Sequence, residues 1–90
     1  MQMRIIIICG MDENDARPEA LIAATLCLMS CYAQHAAPAY AARVADNLAR
    51  LAGAKAMTPE FRTVCLRMAS RWRGLEDDAR RAAAVAPVAD

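Results

Sequence analysis

Residues 38–53 read PAYAARVADNLARLAG, from Pro38 to Gly53, and this stretch decides the fold. At about 100° per residue, Tyr40, Val44, Leu48 and Leu51 fall in one stripe with Ala41, Ala45 and Ala52 beside it, while Arg43, Asp46, Asn47 and Arg50 occupy the opposite arc. Proline suits the first helical position and glycine the position just past the last. The stretch is therefore an amphipathic helix with one face to bury, and the flanking sequence supplies what buries it.

Upstream, Pro18 and Glu19 fit an opening turn, and the spacing predicts a helix over 18–34. Leu21, Leu28 and Tyr32 fall on one side of it and Ile22, Leu26 and Met29 on another. Apolar surface on two sides means a central helix, or one side for its own bundle and one for a partner. Downstream, Thr58 is a good N-cap with Pro59 and Glu60 after it, and Phe61, Val64, Cys65, Met68 and Trp72 form the expected buried face, with Trp72 as an anchor. Gly74 is expected to end or kink this helix. Leu75 to Val85 then continues as a helical extension, supported by Glu76 with Arg80 and Asp77 with Arg81 at i,i+4 spacing. The expected fold is all-α, a small bundle of three main helices plus a C-terminal helical extension in a single domain over 1–90. Residues 11–17 read as an acidic linker and 86–90 as a loose tail.

Residues 1–10 form a short N-terminal apolar arm or strand around the run Ile5 to Ile8. Four consecutive β-branched residues favour extended backbone, and no second strand signal follows. A strand here would pair with the same segment of another copy or with a partner. The alternatives are an arm lying on the bundle, helical or extended, and a true start at Met11.

The chain has 90 residues, 58% of them hydrophobic, and a net charge of +1. A composition this apolar with so little net charge rules out disorder, and its wealth of alanine and arginine argues against an all-β fold. The apolar residues are mostly alanine, with one Phe, one Trp and two Tyr, so the core is thin and association with another copy adds what it lacks. Four cysteines do not imply disulfides here, because Asp12, Glu13 and Asp15 stand where a signal-peptide cleavage site would be. The expectation is a cytoplasmic protein with reduced thiols. Ala20 to Ala42 lacks formal charge, but Gln34, His35 and Pro38 break it, so a buried core helix and no membrane span is expected.

One spacing carries a hint of chemistry. Cys27, Cys31 and His35 recur at every fourth position, on one helical stripe, with a donor set suited to zinc or copper(I). A fourth ligand would have to come from Cys65 or Cys9, and Leu28 stands where a C-x-x-C redox pair with Cys31 would need a cysteine. Packing cysteines, no metal and no cofactor are the expectation. No serine or acid is spaced to activate a nucleophile, and three glycines at 10, 53 and 74 make no phosphate loop, so an enzyme is not expected. Charge is uneven: residues 43–75 hold seven basic and two acidic side chains, a net +5, flanked by segments of −2 on either side. Within them Arg62, Arg67 and Arg71 lie on the third helix, where they could grip phosphates. Leu66 interrupts that polar arc. With Ile22, Leu26 and Met29 it makes the expected interface. The function expected is thus a non-enzymatic helical protein–protein interaction or regulatory protein, a homodimer or bound to another protein. A nucleic-acid-binding regulator is the alternative, and a thiolate metal-binding or redox protein comes behind it.

Overall fold

Three prolines open three helices. In the structure, a computed structural model that describes residues 17–85, α1 spans Pro18–Gln34, α2 spans Pro38–Ala52 and α3 spans Pro59–Val85. Each begins at a proline because that residue has no N–H to leave unpaired and its φ is already helical. At the start of α3 the Thr58 hydroxyl accepts the Phe61 N–H at 3.2 Å. At the end of α1, His35 turns to extended backbone (φ −150°, ψ 103°) while its N–H still donates to the Cys31 carbonyl at 2.9 Å. Gly53 follows α2 with φ −96°, a value open to any residue, so the turn does not depend on glycine. No strand occurs among the described residues, and the fold is all-α. The apolar arm with its Ile run, the acidic linker up to Ala16 and the loose tail all lie outside the described residues.

The middle helix organises the others. Both α1 and α3 pack on α2, α3 the more extensively, and they approach each other only weakly. Leu21 and Leu28 of α1, Val44, Leu48 and Leu51 of α2, and Cys65 and Ala69 of α3 make the buried cluster. Ala24, Ala41 and Ala45 are wholly covered, which lets helix backbones approach closely. The connections, 35–37 and 53–58, are short, so consecutive helices run antiparallel. The start of α1, the end of α2 and the start of α3 therefore share one end of the bundle. There the Arg62 Nε donates to the Ala52 carbonyl at 2.9 Å and caps α2.

Four details depart from the sequence reading. Gly74 does not end α3, which is one continuous helix of 27 residues, about 40 Å long. The extension is thus the second half of α3; it outruns the 15-residue α2, and residues 80–85 are exposed. Val64 is 52% exposed and Trp72 half-buried, because α3 rests on α2 through its small residues Cys65 and Ala69 and turns the Phe61, Val64, Met68 edge toward a gap. Asn47 is buried, at 2% exposure, since a helix flanked on two sides is covered over a wider arc than its apolar stripe. Its Nδ2 has no hydrogen-bond partner. Finally, Arg81 pairs with Asp78 rather than Asp77, while Arg80 pairs with Glu76 at 2.7 Å as the spacing implied.

Gly74 also gives a direct test of the continuous helix. A Cβ built there meets nothing within 4 Å. Gly74→Ala should raise stability by about 0.5–1 kcal/mol, read as a higher urea midpoint at unchanged slope. A loss of stability would mean that the helix is broken there.

Candidate functional site: an apolar groove between α1 and α3

Because α1 and α3 lean on α2 and barely meet, they leave a groove along their shared side. It has a volume of about 190 Å³ and a wholly apolar exposed lining. Leu48 and Leu51 of α2 form its floor, Ile22, Leu26 and Met29 one wall, and Phe61, Val64 and Met68 the other. Leu26 and Val64 stand at the lips, 61% and 52% exposed. Thr25 lines the groove without making it polar, since its hydroxyl donates to the Leu21 carbonyl at 2.7 Å. Beyond Met29 and Met68 along the two helices, Tyr32 and Trp72 pack edge to face with ring centroids 5.1 Å apart.

The expected interface residues divide. Ile22, Leu26 and Met29 come together on one groove wall. Leu66 is also exposed, at 62%, but lies apart, beside Ala52, Pro59, Arg62 and Thr63. Sequence reading saw the α1 wall and missed the facing one, having placed Val64 in the core; Val64 and Cys65 lie at opposite edges of the α3 stripe, about 100° apart, and the rotation of the helix decides which edge is covered.

The cysteine stripe is not continuous. α1 ends at Gln34, so His35 leaves the helical register and stands exposed, edge-on to Tyr40 with centroids 6.5 Å apart. Cys27 and Cys31 are half-buried free thiols, roughly 140° and 180° round α1 from Ile22, whereas Cys65 sits in the groove lining on the other side. No cluster of three or more His, Cys, Asp or Glu able to hold a metal forms among the described residues. Burial pushes the Cys65 thiol above its ordinary range, so it stays protonated at neutral pH.

Of the three arginines, Arg62 is committed to the Ala52 carbonyl, while Arg67 and Arg71 are exposed on neighbouring turns. Arg73, another of the basic group, bridges α3 to Asp46 of α2 at 2.7 Å. Ion pairs this exposed contribute at most about 1 kcal/mol, but they reduce the charge left for an anionic partner. No helix among the described residues is long and apolar enough to cross a membrane.

Fold and groove together define a three-helix bundle with an open apolar seam. No family model matches the chain, and no curated protein or solved structure is significantly similar to it.

Proposed function

We propose that this chain is a small non-enzymatic helical interaction protein of a regulatory kind, and that it associates with a second copy of itself through the α1–α3 groove. The observation that supports the reading is the wholly apolar groove with Leu26 and Val64 exposed at its lips. Apolar side chains gathered in this way gain about 25 cal/mol for each Å² removed from water. A domain of 90 residues with an alanine-rich core has more need of that gain than a larger one. The reading places the protein in the cytoplasm, where a reducing environment keeps thiols such as Cys27, Cys31 and Cys65 free.

Leu26→Glu tests it. Glutamate at the lip puts a charge into any interface formed there without touching the core, so helicity should persist while self-association weakens at least about tenfold. Leu66→Glu, equally exposed but outside the groove, should associate as the unmodified chain does. Sedimentation across a micromolar dilution series reads both. A monomer whose stability is independent of dilution, or a Leu26→Glu chain that associates normally, overturns the reading.

A further inference from the structure

Phe61, Val64 and Met68, which form the α3 wall of the groove, are spaced by three and then four residues. The same alternation continues unbroken through Arg71, Leu75, Asp78, Ala82 and Val85, to the end of the helix. A seven-residue repeat moves only about 20° around the helix at each repeat, so these positions form one seam about 36 Å long. None of them is buried: Val64 and Val85 are 52% and 69% exposed, and Phe61, Met68 and Leu75 are half-buried. Cys65 and Ala69, through which α3 rests on α2, are not among them. The first half of the seam faces the α1 wall across the groove, and the second half runs on past α2. We propose that two copies of the chain pair antiparallel along this seam, so that the second half of α3 of each copy lies over the groove of the other as a fourth helix. The proposal rests on the groove being the association surface and names the element of the second copy that fills it.

Three observations support it. The first is the period, since a repeat of three and four steps sustained along a helix is the pattern of one that packs lengthwise on another. The second is overlap. Setting Phe61 of one copy level with Val85 of the other also sets Val64 level with Ala82 and Met68 with Asp78. Residues 78–85 of the second copy then run beside the groove wall from Phe61 to Met68, about 10 Å on each. Ala79, Ala82 and Ala83 keep that part of the helix slim, so it can settle between the exposed lips Leu26 and Val64. The third is charge, because the two charged residues of the seam have opposite signs. In the antiparallel overlap Arg71 of each copy stands one seam position, about 4.5 Å along the axis, from Asp78 of the other. A parallel pair would instead set Arg71 against Arg71 and Asp78 against Asp78. Arg71 makes no ion pair among the described residues, and Asp78 pairs only with Arg81 in its own exposed turn. The α1 wall offers no rival, since residues 20–34 carry no formal charge. Charged residues within such a seam lower stability but fix orientation and register.

The test exchanges the two charges in the full chain and follows self-association by sedimentation. Arg71→Glu alone and Asp78→Arg alone should each weaken association at least about tenfold, because each brings like charges together at both ends of the pair. The chain carrying both changes restores opposite charges in the antiparallel arrangement and should associate within about twofold of the unmodified chain. Both side chains are exposed, so circular dichroism should show the same helix content in all four chains. Single changes without effect overturn the proposal. So does a double variant as weak as the singles, which would mean that the two charges act apart. Leu26→Glu separates the two readings. If it disrupts association and the charge changes do nothing, pairing along the seam alone fails; if it leaves association intact, the groove reading itself has failed and this proposal with it.

Discussion

Leu48→Ala should remove about 3 kcal/mol of stability, roughly a fifth to three fifths of what a 90-residue domain commonly holds. Leu48 is 4% exposed and belongs to the core cluster that joins all three helices, while its outer edge also floors the groove. Deleting three methyl or methylene-type groups from such a site forfeits their transfer free energy and leaves a cavity. Leucine-to-alanine losses run from about 2 to 5 kcal/mol according to how far the surroundings collapse. The adjoining groove makes partial collapse easier here, which argues for the middle of the range. Leu66→Ala is the control, at 62% exposure and with an expected change within about 0.5 kcal/mol. Urea denaturation reads both; a Leu48→Ala midpoint close to that of the unmodified chain would remove Leu48 from the centre of the fold.

An isosteric change at Asn47 should have a comparable effect with a pH signature. Asn47→Asp keeps the shape but puts an ionisable carboxyl at a position 2% exposed. A carboxylate there loses most of its hydration, and the cost is several kcal/mol, about 3 at pH 7 after relaxation. Burial raises the folded-state pKa above the unfolded value of about 4. With a raised folded pKa the stability is fully present below the unfolded pKa and lost as pH rises toward the folded one. The variant should therefore resemble the unmodified chain near pH 3.5 and fall behind it steadily toward pH 7. A stability difference that does not vary with pH would show that the carboxylate stays solvated. Because the amide Nδ2 has no partner to lose, the penalty comes from the charge and not from a broken hydrogen bond.

Asn47 also marks where sequence reasoning reached its limit. Helix positions were legible because prolines, Thr58 and the period of apolar residues are local signals: residues 18–34, 38–52 and the start at Pro59 all follow from neighbours within a turn or two. The two-sidedness of α1 was legible for the same reason. Gly74 misled because glycine costs only about 1 kcal/mol inside a helix, and the Glu76–Arg80 pair and the packing of Leu75 outweigh that. The cysteine stripe was legible only as far as Cys31, because periodicity assumes a helix that continues, and α1 stops one residue before His35.

What the sequence determined by itself was therefore the class of the fold, the three helices and which of their faces are apolar, since these depend on periodicity and end signals carried within each helix. Tertiary structure alone decided how each helix is rotated and which pairs touch. That rotation buried Asn47, turned Val64 outward and left α1 and α3 apart, so that two unremarkable stripes became the walls of one groove. Helix–helix contact depends on residues distant in sequence, and small side chains such as Ala41, Ala45 and Ala69 set it by how closely they let backbones approach.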